Sequence, residues 1–80
     1  MTAFEQRIRE LIAETLKVAS DRITRATDFF NDLEVDSLHL VEVEILLEDT
    51  FHVPIEDEDV RSVRTFGEFV DLLQQKYKLA

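Results

Sequence analysis

One glycine (Gly67) and one proline (Pro54) in eighty residues leave this chain few ways to turn sharply. Hairpin-rich β folds depend on those residues at their tight turns, so a helical architecture is expected. The apolar residues agree. Phe4, Ile8, Leu11, Ile12 and Leu16 recur at helical spacing and predict a first helix over about Ala3–Leu16. Thr2 and Glu5 form a capping-box pattern at its start. Residues 17–35 lose the period and collect Ser20, Asp21, Thr24, Thr27, Asp28 and Asn31, which bond locally to backbone. They read as a long loop pinned to the core by Val18, Ile23, Phe29 and Leu33. A loop of this length in a small domain is often functional.

A second helix is expected from Ser37 to about Thr50, capped by Asp36. It ends before Phe51-His52-Val53-Pro54, because proline disfavours helix in the residue before it. Glu56 to about Arg61 reads as a short third helix with acids at its N-terminus, where the dipole favours them. The last helix should start at Thr65 or Phe66, with a second capping box (Thr65 and Glu68), and run to about Tyr77. Phe66, Phe69, Val70, Leu73 and Tyr77 make its buried stripe. The expected fold is all-α: an antiparallel four-helix bundle with three longer helices, one short third helix and a long first loop.

A chain of 80 residues makes one domain, 1–80, with a thin core. It contains no cysteine, so neither a disulfide nor a thiolate zinc site staples it. No apolar run approaches the roughly 18 residues of a membrane span. No basic segment leading into an apolar one marks a signal peptide. A cytoplasmic monomer, not inserted in a membrane, is the expectation. The formal charge is −9, which argues against nucleic acid and for partners with basic surfaces. Residues 36–60 carry nine acids and no Lys or Arg, a density that suits a docking surface.

The second helix is too apolar for its length, since one buried stripe takes about three or four residues in every two turns. Leu40, Val43, Leu47 and Phe51 suffice for the core. Leu38, Val41 and Ile45 form a second set turned toward another face, bordered by Glu42, Glu48 and Asp49. A small bundle can bury a central helix on most of its circumference. An apolar strip rimmed by carboxylates is also the usual composition of a protein-docking face. Exposure of Val41 and Ile45 separates the two readings.

The segment Asp32-Leu33-Glu34-Val35-Asp36-Ser37-Leu38 closely resembles the prosthetic-group site of acyl carrier proteins, Asp-Leu-Gly-x-Asp-Ser-Leu at the start of the second helix. An Asp-Ser-Leu triplet alone is worth little. Here Phe29 lies upstream, Val41-Glu42 follow, and an acidic stretch leads to Phe51, so the likeness spans essentially the whole chain. It implies a carrier rather than an enzyme, with 4′-phosphopantetheine joined to Ser37 by a phosphopantetheinyl transferase. Acyl intermediates would ride on that arm as thioesters in fatty acid, lipid or polyketide synthesis. The position matching Asp36 helps engage the transferase. Positions matching Leu38, Val41, Glu42, Ile45 and Glu48, with Asp49 beside them, meet basic patches on acyl-transferring or acyl-ligating enzymes. The residues support this independently, because the first turn of a helix presents a hydroxyl where free amides and the dipole favour a phosphate.

Three departures point to a carrier dedicated to one pathway. Glu34 stands where the family has glycine, and strains the loop if positive φ is required there. His39 and Leu40 replace a polar pair, and Pro54-Ile55 reverses a common order. The alternatives are a peptidyl or aminoacyl carrier, such as a D-alanyl carrier, or an acidic interaction bundle without cofactor. His39 and His52 lack metal-ligand spacing. Ser37 and His39, two apart on a helix, do not form a triad. Glu56-Asp57-Glu58-Asp59 lacks the glycine of a calcium loop.

Overall fold

The expected apolar periods become four helices in a computed structural model that describes residues 2–80. They are α1 (Ala3–Leu16), α2 (Ser37–Phe51), α3 (Asp57–Arg61) and α4 (Phe66–Gln75), with a 3₁₀ turn at Ser20–Arg22. The fold is an all-α four-helix bundle. α1 packs against α2 and α4, and α2 against α3. Ile8, Ile12, Leu47, Phe66, Phe69 and Leu73 are among its most deeply buried side chains, all in one core cluster. Leu40, Val43 and Leu47 of the proposed core stripe are buried. Phe51 is only half-buried, its ring tilted 57° to that of Phe4 at 6.0 Å and beneath the Arg7 guanidinium.

Three ends differ from expectation. α2 runs on through Phe51, with His52 as its C-cap. α3 begins at Asp57, with Glu56 as its N-cap. α4 stops at Gln75, two residues short of Tyr77. Tyr77 lies beyond the helix, where its Oη donates to Asp59 Oδ2 at 2.5 Å and accepts from the Glu56 amide at 3.0 Å. Its hydroxyl therefore ties the segment after α4 to α3, while the side chain packs partly buried against the core. The capping box at Thr65 and Glu68 forms in both directions. At α1 only half of one forms: Thr2 accepts from the Glu5 amide at 3.1 Å, while the Glu5 carboxylate lies 2.6 Å from Arg25.

Ile23 and Phe29 of the long loop are buried, as is Val35, while Val18 and Leu33 are half-buried. The loop is also bonded through its backbone to the start of α4. Phe29 N donates to Arg64 O, Phe66 N to Thr27 O and Gly67 N to Arg25 O, at 2.8, 3.0 and 3.0 Å. The chain's one glycine makes the last bond possible. A β-carbon on Gly67 would lie 2.9 Å from the Arg25 carbonyl oxygen. Arg25 then clamps the loop, with Nη1 on Glu5 at 2.6 Å and Nη2 on both oxygens of Asp71 at 2.9 Å. This strap carries the chain across the bundle and delivers residues 32–36 to the N-terminus of α2.

Candidate functional site

The first turn of α2 is assembled by reciprocal hydrogen bonds. Asp36 Oδ1 accepts from the His39 amide at 3.0 Å, and His39 Nδ1 accepts from the Asp36 amide at 3.3 Å. The Asp36 cap is as expected. His39, to which the sequence reading gave no capping role, is its capping partner. The same His39 amide bond holds the Asp36 carboxyl below the usual carboxylate range. Ser37 follows as the first helical residue and is exposed. Two residues before the cap, Glu34 has φ of 54°, in the left-handed region. The loop does require positive φ where the resemblance has glycine, and glutamate adopts it at a steric disadvantage.

The second apolar set on α2 faces outward. Leu38, Val41 and Ile45 are 65, 39 and 53 % exposed. Glu42 and Asp49 are exposed beside them, and Glu48 is half-buried. The Glu48 carboxylate is partly engaged within the chain, its Oε2 accepting from the Ile55 amide at 2.9 Å. It thus ties the α2–α3 connection to α2 and is less free than its neighbours to meet a partner.

Sequence reasoning passed over two residues at this site. Glu44 is buried in α2, with Oε2 unpartnered. Burial, and then hydrogen bonding and charge from Asp57, push its carboxyl up to about 7. Asp57 is held below the usual range, first by its hydrogen bond with Glu44 and then by Arg61. A visible signal existed: 44 lies four after Leu40 and three before Leu47, on the core stripe. The other residue is Arg61, the first cation after the acidic block. Its Nε donates to Asp57 Oδ2 at 2.5 Å, and its Nη1 reaches Ser37 Oγ at 3.3 Å. No local pattern announces a contact between residues 24 positions apart.

These residues fit a phosphodiester on Ser37. The hydroxyl is exposed, the positive end of a 15-residue helix lies behind it, and a guanidinium stands at hydrogen-bond distance. Beneath α2 the core holds a small apolar void of about 10 Å³ between Leu16, Phe29, Val35, Leu40 and Val60. Among the described residues, no helix is long and apolar enough to cross a membrane.

The profile of a family described as "Phosphopantetheine attachment site" matches residues 6–73. An acyl carrier protein of Petrotoga mobilis is 36 % identical over 74 residues, covering 92 % of this chain and 87 % of that protein. One from Lactobacillus acidophilus is 40 % identical over 68 residues, 85 % of each. An exposed serine at a capped helix start, an acid-rimmed apolar strip beside it and these likenesses agree, and the chain belongs to the acyl carrier protein family, whose members bear phosphopantetheine.

Proposed function

We propose that Ser37 is the attachment point for 4′-phosphopantetheine, and that the chain carries acyl intermediates between enzymes from there. The observation that carries this reading is the setting of the Ser37 hydroxyl. Of the three serines, Ser20 is half-buried in the 3₁₀ turn, and Ser62 follows α3 with its hydroxyl donating to Asp59 O at 2.6 Å. Only Ser37 combines exposure with the start of a long helix. Bound there, the arm supplies the thiol on which acyl groups are held as thioesters, in a chain with no cysteine of its own. Asp36 fixes the helix start and presents a carboxylate to the transferase. Leu38, Val41, Glu42, Ile45 and Asp49, with Glu48 in part, form the surface offered to basic patches on that transferase and on acyl-transferring or acyl-ligating enzymes.

The strip is small, and each surface ion pair its carboxylates form with a partner is worth about 0–1 kcal/mol. Encounters should be fast, weak and salt-sensitive, as a monomeric shuttle between enzymes requires. Glu34, His39-Leu40 and Pro54-Ile55 favour a carrier dedicated to one pathway. Loading by an acyl ligase but not an aminoacyl ligase would support an acyl cargo over an aminoacyl one. The carrier is expected to work in the cytoplasm. The core void has room for about one water molecule, so an acyl chain would enter the bundle only by parting the helices.

The decisive experiment offers the protein coenzyme A and a broad-specificity phosphopantetheinyl transferase. The expected result is a mass gain of one phosphopantetheine, abolished in Ser37→Ala. Wild-type protein that stays at its unmodified mass, or loading that persists in Ser37→Ala, would overturn the assignment.

A further inference from the structure

The surroundings of Ser37 pose an electrostatic problem. Residues 36–60 contain nine carboxylates and no Lys or Arg, and a phosphodiester on Ser37 adds another negative charge to a chain already at −9. Repulsion among like charges would push the arm off the surface and work against the folded state. One cation stands close to the hydroxyl. Arg61, on α3, places Nη1 3.3 Å from Ser37 Oγ while Asp57, one turn earlier, holds Nε at 2.5 Å. The two contacts use different nitrogens, so the bond to Asp57 orients the guanidinium and leaves Nη1 directed at the serine. With 42 % of its side chain exposed, Arg61 has room to turn toward a larger anion without leaving Asp57.

Resting on the Ser37 reading, we propose that Arg61 is the chain's own positioning residue for the prosthetic group, donating to the phosphodiester oxygens and holding the root of the arm against α3. A guanidinium suits this task, since its fixed fork matches phosphate oxygens and it stays charged at every working pH. The contact also joins α3 to the N-terminus of α2. It adds to the packing of the two helices against each other, so the loaded carrier should hold α3 more firmly than the unloaded one.

The test compares unloaded and loaded protein, with loading confirmed by mass, for wild type, Arg61→Gln, Arg61→Lys and the control Arg64→Gln. Arg64 pairs with Asp28 on the strap and makes no hydrogen bond to Ser37. Three readouts are independent of enzymatic turnover: the ³¹P shift of the phosphodiester, the change in Tm on loading, and the Arg61 side-chain Nε–Hε cross-peak in wild-type protein. In wild type the cross-peak should move on loading. In Arg61→Gln the ³¹P shift should differ from wild type, and loading should lower Tm by several degrees more than it does in wild type. Arg61→Lys should fall between them, and Arg64→Gln should match wild type. A ³¹P shift and a loading-dependent Tm change identical in Arg61→Gln and wild type would overturn the inference, as would an unmoved Arg61 cross-peak. The cross-peak decides the matter even if Arg61→Gln does not fold. Absence of any mass gain in wild type overturns the Ser37 assignment itself, and the two failures are thereby told apart.

Discussion

At the scale of single residues, two positions work against stability, and both lie beside the site. Glu34 holds φ of 54° in the left-handed region. That conformation costs a side-chain-bearing residue about 1–2 kcal/mol, while glycine there would lose roughly 0.4–1 kcal/mol to its freer unfolded chain. Glu34→Gly should therefore stabilise the protein by about 0.5–1 kcal/mol, seen as a Tm rise of a few degrees; an unchanged or lower Tm would show that the loop is unstrained. Glu44 is the second. Because its carboxyl is raised from 4.5 to about 7, the folded state binds a proton that the unfolded chain has released between those values. Stability from this group is thus undiminished below about pH 4.5, falls as pH rises toward 7, and stays low above it. Glu44→Leu should raise Tm at pH 8 far more than at pH 4.5, since an apolar side chain suits a buried position between Leu40 and Leu47. Equal gains at the two pH values would refute the assignment of that pH dependence to Glu44.

Among the elements, the strap over residues 17–35 depends on contacts distant in sequence. Gly67 sits inside α4, where glycine costs about 1 kcal/mol relative to alanine. Simple helix propensity predicts that Gly67→Ala stabilises the protein. The packing predicts the reverse, because the added methyl meets a backbone carbonyl at 2.9 Å, and a carbonyl cannot swing away as a flexible side chain can. Gly67→Ala should lower stability by about 1–2 kcal/mol in denaturant unfolding and increase amide exchange at Phe66 and Gly67; a gain in stability would sink this account. The caps and apolar periods of the helices were legible in sequence because a cap or an i, i+4 contact lies within one turn. The strap's anchoring was not, since Arg25 bonds to Asp71, 46 positions away. The end of α4 was missed for a similar reason. Tyr77 continued the apolar period, but its hydroxyl is held by Asp59 and the Glu56 amide outside the helix.

On the scale of the whole molecule, a charge of −9 concentrated in one block should govern both association and stability. Glu42 and Asp49 are exposed on the strip and free of the structural bond that engages Glu48. The pair Glu42→Lys and Asp49→Lys should therefore slow transferase loading several-fold at low ionic strength while leaving Tm near the wild-type value or above it. The difference should shrink as salt screens the exposed charges. Loading kinetics that match wild type at low salt would remove the acidic rim from the docking surface.

The sequence by itself determined where the helices lie, which serine carries the family's signature, and that α2 is more apolar than one buried stripe allows. Those properties arise from spacing and capping over three or four residues, where side chains and backbone meet whatever the rest of the chain does. Tertiary packing decided which α2 stripe faces water, that Glu44 shares the core with Leu40 and Leu47, and that Arg61 stands at the Ser37 hydroxyl. Each of these depends on how a connecting segment brings one helix against another. The local chemistry of either partner does not encode that meeting.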